Sequence, residues 1–227
     1  MNKKILITGH SRGIGKKLSI FLKKKNEVIG ISRSKSGIKG IKEFSCDINN
    51  YDEIGKIIKK IGKFDVLINN SSITNFSKNP FENFTQIVKT NLIGTYYCCQ
   101  KSIKYIKKNG SIINISSINA YMAFPNNPGY VSSKGGVKSL TQALALDYSK
   151  YKIRVNSISP GYINEGMSKL SFKNKKRKDE RLKRMIIKRW GKVDDLHGII
   201  EYLSTNNSSY VTGQDFIIDG GWTAKGL

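Results

Sequence analysis

Acidic side chains are scarce in this chain. Among 227 residues, sixteen Asp and Glu face forty Lys and Arg, a formal net charge of +24. Cysteine is scarcer. Cys46, Cys98 and Cys99 are odd in number, two of them adjacent, with no Cys-x-x-Cys pair, which argues against a disulfide framework or a cysteine zinc site. Two histidines, His10 and His197, are too few for a His-rich centre, and no bound metal is expected. No apolar run approaches the roughly 20 residues that cross a bilayer, so no membrane partner is expected. Met1-Asn2-Lys3-Lys4 runs into the short stretch Ile5-Leu6-Ile7 with no small-residue cleavage site after it. The expectation is a cytoplasmic protein without a signal peptide.

What is present suffices for a folded core: 38% of residues are hydrophobic and 10% aromatic, away from the composition of disordered chains. The length suits one domain, expected to span 1–227. The charge has two readings. A basic surface attracts nucleic acid or acidic proteins. Lysine, however, recurs along the whole chain, as at Lys59-Lys60 and Lys107-Lys108, which reads as solvated surface. Nucleic acid is not the expected partner. Short apolar runs at 4–8, 27–31, 41–46, 65–69, 111–116, 153–159 and 215–219 alternate with helical patterns at 13–25, 51–61, 81–108, 128–149 and 193–204. That alternation predicts an α/β fold: one doubly wound domain, a parallel sheet of about seven strands with helices on both faces. Ligands of such folds sit beyond the carboxyl ends of the strands.

Thr8-Gly9-His10-Ser11-Arg12-Gly13-Ile14-Gly15 lies between the first strand and the first helix. Glycine there admits positive φ and the close approach of a pyrophosphate, while the helix N-terminus offers N–H donors. The spacing resembles the short-chain dehydrogenase/reductase family, whose fingerprint is Thr-Gly-x-x-x-Gly-x-Gly, and the resemblance runs from Lys4 to about Trp222. It implies a Rossmann domain holding a nicotinamide cofactor at Gly9, Ser11, Arg12, Gly13, Ile14 and Gly15. A carboxylate closing the second strand would take the ribose 2′-hydroxyl of NAD. Ser32 and Arg33 stand there instead, and Arg33 with Arg12 suits a 2′-phosphate. NADP(H) rather than NAD(H) is therefore expected. By the same resemblance, Asp47 and Ile48 lie at the adenine. Asn70, in Asn69-Asn70-Ser71-Ser72, falls where the family has Asn-Asn-Ala-Gly, and Pro160, Gly161 and Ile163 match its turn over the nicotinamide.

Tyr130 and Lys134 are four apart on a predicted helix and share a face. Free tyrosine titrates near pKa ~10, and a neighbouring ammonium is expected to lower that value. Tyr-x-x-x-Lys alone is common by chance; its company makes it specific. Ser117 precedes Tyr130 by thirteen residues at the end of a strand, where the family places the serine that binds the substrate carbonyl. Ser116 is the alternative. Asn91, in Thr90-Asn91-Leu92-Ile93-Gly94, matches the family asparagine that holds a water chain to the lysine. Singly, Ser117, Asn91 and Asn114 read as turn and cap residues; their order and spacing carry the argument. The implied chemistry is hydride transfer between nicotinamide and a carbonyl or secondary alcohol, with Tyr130 as general acid/base and Lys134 also reaching the nicotinamide ribose.

Two features depart from the pattern. Glu165 stands where the family has a threonine contacting the carboxamide, with Ser168 as the nearby hydroxyl that can stand in. And 173–189 carries ten Lys and Arg against two acids, within a stretch (164–190) that the resemblance makes a helical substrate lid. Leu182, Met185 and Ile186 fall there at helical spacing. The lid reads equally as a solvated helix or as a surface for an acidic or carrier-bound substrate. The general pattern is closest to 3-oxoacyl-carrier-protein reductases. A catalytically silent NADP-binding regulator is the alternative, and a homodimer or homotetramer is expected by analogy. Gly135-Gly136, inside a predicted helix, suggests close packing there.

Overall fold

A computed structural model describes residues 2–225. Seven strands form one parallel sheet in the order β3-β2-β1-β4-β5-β6-β7. They are β1 (Lys4–Thr8), β2 (Glu27–Ser32), β3 (Lys42–Ser45), β4 (Phe64–Asn69), β5 (Ile106–Ile115), β6 (Arg154–Pro160) and β7 (Asp215–Ile218). A parallel sheet covered on both faces needs apolar side chains at successive positions, and Ile5, Leu6 and Ile7 of β1 are all fully buried. Alternation along the strand divides them. Leu6, Leu67, Ile112 and Val155 pack on one face, with α2 (Tyr51–Ile61), α4 (Gly94–Ser102) and α5 (Pro128–Asp147). Ile5, Ile7, Val66, Ile68 and Ile113 pack on the other, with α1 (Gly13–Leu22) and α8 (His197–Ser204). The strand order reverses beside β1, opening the crevice typical of such sheets at the carboxyl ends of β1 and β4.

The long helix expected over 81–108 is broken up. α3 (Pro80–Val88) passes through a π-helical turn, Lys89–Ile93, into α4, which ends at Ser102. Helix stops there because the Tyr105 carbonyl accepts from Phe64 N at the sheet, 3.0 Å away. β5 then begins at Ile106, five residues ahead of the expected strand. Its pairing slips between Phe64↔Ile106 and Val66↔Ser111, with Asn109 at φ 64° in the slip.

After β6 come a 3-10 turn (Gly166–Ser168), α6 (Lys169–Lys173) and α7 (Lys175–Arg184). Asn174 caps α7 by accepting from Arg177 N at 3.0 Å. The expected apolar face is corrected here. Met185 leaves the helix in extended conformation (ψ 134°) and is buried with Trp190 and Trp222, whereas Ile186 is exposed. Three of the basic side chains lie on aromatic rings: Lys178 over Phe172 at 4.7 Å, Arg181 over Tyr162 at 4.7 Å, and Arg184 over Trp222 at 4.9 Å. Such contacts hold the cations against the ring faces. No helix among the described residues is long and apolar enough to cross a membrane.

Candidate active site

The glycine loop is tied to the end of β4 through the Thr8 hydroxyl and the Asn70 amide. Thr8 Oγ1 accepts from Asn70 N (3.1 Å) and Ser71 N (3.2 Å), and Asn70 Nδ2 donates to Gly9 O at 3.0 Å. Gly9 adopts φ 68° and Gly13 φ 56°, a region that side chains avoid. A Cβ on Gly15 would stand 2.2 Å from Gly9 O, so Gly15 closes the loop on itself rather than facing a ligand. α1 starts with no side-chain cap and no acid in its first turn. Its leading amides are left to an outside acceptor, with the positive end of the helix dipole behind them.

Those amides border a cleft of about 720 Å³. Gly9, Ser11, Arg12, Gly13, Ile14, Ser32, Arg33, Asp47, Ile48 and Asn70 all line it. At one end Ser34 Oγ donates to Ser11 Oγ at 3.2 Å, beside the exposed Arg12 and Arg33. Arg33 Nη1 is 4.0 Å from Asp47 Oδ2, while Asp47 Oδ1 accepts from Asn49 N at 2.9 Å. Beneath this end lies a buried network invisible in the sequence. His10 Nε2 meets Glu43 Oε1 at 2.7 Å, and its Nδ1 pairs with Ser32 Oγ at 3.0 Å. Glu43 also accepts from Ser36 N (2.7 Å) and Ser36 Oγ. Burial alone would raise the Glu43 pKa, but the Ser36 and His10 hydrogen bonds outweigh it and hold the carboxyl below the usual range. Gly30 is there for the imidazole: a Cβ would meet the ring at 2.3 Å.

Asn127 opens α5, its Oδ1 accepting from Tyr130 N at 3.3 Å. From there Tyr130 and Lys134 face inward. Lys134 is 3% exposed; its ammonium donates to Ile115 O at 2.8 Å and lies 5.6 Å from the centre of the Tyr130 ring. The hydroxyls of Ser117 and Ser72 flank the Tyr130 phenol. The titration expected from sequence is corrected. Burial pushes Tyr130 up to about 12, with Ser117 and Ser72 opposing, and burial pushes Lys134 down to about 7. Burial is the leading cause of both shifts, and the phenol is protonated at neutral pH. Ser116 is occupied elsewhere, donating to Lys134 O at 3.0 Å. Ser117 Oγ lies beside the Tyr130 phenol while donating to Asn119 Oδ1 at 3.1 Å and accepting from Asn119 N at 3.2 Å.

Asn91 sits in the π-helical turn and grips the loop after β4. Its Oδ1 accepts from Ile73 N (2.8 Å), and its Nδ2 donates to Ile73 O (2.9 Å) and to Ser133 Oγ of α5 (3.1 Å). Gly136 belongs to the same junction, since a Cβ there would stand 2.7 Å from Leu92; Gly135 has open space. Ser117, Tyr130, Lys134, Pro160, Gly161 and Ile163 lie outside the cleft lining. The tightness at Gly161 is toward Asp219, 2.6 Å from a built Cβ. Ile163 is buried in the core, its carbonyl accepting from Glu165 N at 2.7 Å and its backbone bridged to Gly191. Glu165 turns to α1: Oε2 lies 3.0 Å from Lys17 Nζ, and its carboxylate accepts from Gly166 N at 3.2 Å. The Lys17 contact is the main cause of its lowered pKa.

Sequence reasoning passed over Ser34, Ser72, Lys17 and Ser133. Only Ser72 left a trace, as a serine at a family glycine.

The comparisons with known proteins bear on the fold and the family. The family model described as Enoyl-(Acyl carrier protein) reductase matches residues 20–223. A 3-oxoacyl-[acyl-carrier-protein] reductase of Staphylococcus epidermidis is 31% identical, covering 97% of this chain and 99% of its own. Among solved structures, the ligand-free aldohexose dehydrogenase of Thermoplasma acidophilum superposes with a TM-score of 0.90 at 28% identity, covering 99% of this chain and 95% of that one. The gluconate 5-dehydrogenase of Burkholderia cenocepacia, in complex with NADP and tartrate, gives 0.90 at 26%, covering 100% and 97%. With this fold and a family match over most of its length, the chain belongs to the short-chain dehydrogenases/reductases and is an NAD(P)-dependent oxidoreductase.

Proposed function

We propose that the protein is an NADP(H)-dependent carbonyl reductase in which Tyr130 is the general acid/base. The observation that carries this reading is the Tyr130 phenol, flanked by the Ser117 hydroxyl with the buried Lys134 one turn along α5. Bound nicotinamide supplies or accepts the hydride. The chain does the rest. The uncapped amides of α1 and the glycine loop suit a pyrophosphate. Ser117 orients a carbonyl oxygen by hydrogen bonding, and Tyr130 delivers a proton to it. A phenol pushed up to about 12 is fully protonated at pH 7, the form that reduction requires. Lys134, charged in part at that pH, stabilises the phenolate left behind. Asn91 acts on the scaffold, fixing Ile73 and Ser133 around the pair.

Preference for NADP(H) rests on what surrounds the cleft's basic end. Arg12, Arg33, Ser11 and Ser34 converge there, and the carboxylate beneath them, Glu43, is fully engaged by His10 and Ser36. A donor-rich pocket with two guanidinium groups, one of them 4.0 Å from Asp47 Oδ2, favours a 2′-phosphate. The Burkholderia neighbour in its NADP complex supports the same choice. The Staphylococcus relative makes a 3-oxoacyl thioester the first substrate to try. A homo-oligomer, joined as in the family through the helices that carry the exposed Phe81 and Leu146, is part of the proposal.

NADPH and NADH consumption with acetoacetyl thioester and a ketone panel, in wild type and Tyr130→Phe, tests the reading. The expected result is NADPH oxidation in wild type, reduced about 10²–10⁴-fold in the variant, the range of general acid catalysis. Undiminished turnover in the variant would falsify the role of Tyr130.

A further inference from the structure

The segment leaving β6 crosses the cleft and touches α1 on the far side. Gly13 and Gly166, both at positive φ (56° and 58°), meet backbone to backbone: a Cβ on Gly13 would stand 3.1 Å from Gly166 Cα. A Cβ on Gly166 would lie 4.0 Å from Ile14 N, so this contact lies beside the Ile14 amide at the start of α1. One polar link holds it. Lys17 Nζ and Glu165 Oε2 are 3.0 Å apart, with side-chain exposures of 54% and 19%; among the described residues this is the one ion pair between α1 and the segment. Glu165 is braced for the task by Gly166 N and by a backbone bond of its own N to Ile163 O at 2.7 Å. Gly191 anchors the stem, donating to Tyr162 O (3.0 Å) and accepting from Asn164 N (2.8 Å).

We propose that Lys17 and Glu165 form a clasp across the cleft that controls how fast the dinucleotide leaves. The proposal rests on the reading of this cleft as the NADP(H) site. Gly166 lies beside the Ile14 amide, at the edge of where the pyrophosphate would bind, and Glu165 is tied by its charge partner rather than directed at the phosphates. This also accounts for a glutamate at a position where an unpaired carboxylate would repel an anionic ligand. Lys17 acts on residence by holding the segment shut; both residues are positioning residues.

The test is the dissociation rate of NADPH, read by stopped-flow fluorescence on displacement by excess NADP, in wild type, Glu165→Gln, Lys17→Met, the double variant and Lys17→Arg. Partly exposed pairs contribute little, so each single removal is expected to speed release about twofold to fivefold. Because both break one link, the double variant should release no faster than the faster single variant, and Lys17→Arg should behave as wild type. Singles that release at the wild-type rate, or single effects that multiply in the double variant, overturn the clasp. Wild type that binds no NADPH in equilibrium titration instead overturns the cofactor reading on which the clasp rests. Thermal melts confirm that each variant is folded.

Discussion

Replacing Lys134 by methionine is expected to abolish catalysis and stabilise the fold. Burial lowers the ammonium to about 7 from an ordinary value of 10.5, so between those values the folded chain holds fewer protons than the unfolded chain. Stability then rises with pH across that window: the penalty is full below the folded value and gone above the unfolded one. Integrated, it is about 4 kcal/mol at pH 7 and about 1 kcal/mol at pH 9.5. Methionine has similar volume and no charge, but leaves Ile115 O without its 2.8 Å donor, which costs about 1–2 kcal/mol. The net expectation is a gain of about 2–3 kcal/mol at pH 7, or about 5–10 °C in Tm, shrinking to nothing near pH 9.5. Urea unfolding of both proteins at the two pH values, followed by the fluorescence of Trp190 and Trp222, measures it. A variant that is less stable at pH 7, or a difference that ignores pH, refutes the reasoning. Turnover should fall at least 100-fold, in line with the loss of a group supporting acid catalysis.

Arg33→Ala should raise KM for NADPH about tenfold and leave KM for NADH nearly unchanged, since a charge-assisted bond to phosphate contributes about 1.5–3 kcal/mol; equal effects on both cofactors would show that Arg33 does not read the 2′-phosphate. Gly30→Ala puts a methyl 2.3 Å from the His10 ring and should cost about 1–3 kcal/mol as an overpacked core, measurable by chemical denaturation. Asn91→Ala frees Ile73 and Ser133 together; kcat should drop while Tyr130 and Lys134 are intact, and unchanged kcat would show the grip on Ile73 to be idle.

Much of the fold was legible because its signals are local. Ile5-Leu6-Ile7 can only be a strand covered on both sides, and the spacing of Gly9, Gly13 and Gly15 announces a tight turn into a helix. Tyr130 and Lys134 declared their shared face through helical period alone. What stayed hidden depends on partners distant in sequence. Nothing within 81–108 says that Tyr105 will give its carbonyl to Phe64, so the helix looked continuous. Met185 fits a helical stripe until Trp190 and Trp222 draw it out of one. His10 read as a loop residue because Glu43, its partner, is 33 positions away. The titration of Tyr130 departs from the expectation for a related reason: the neighbouring ammonium is visible in the sequence, and the burial that raises the phenol is not.

The π-helical turn at Lys89–Ile93 has a consequence for how this segment can change length. A turn of that kind accommodates one residue more than an α-helix does, and each residue advances an α-helix by about 100°. Deleting one residue between Val88 and Gly94 would let the helix heal, yet would swing Asn91 away from Ile73 and Ser133 or replace it at that azimuth by a neighbour. Single-residue gaps here are therefore coupled to loss of the asparagine. In this chain the extra residue is held by the amide at its centre; without it, the loop after β4 would need another tether.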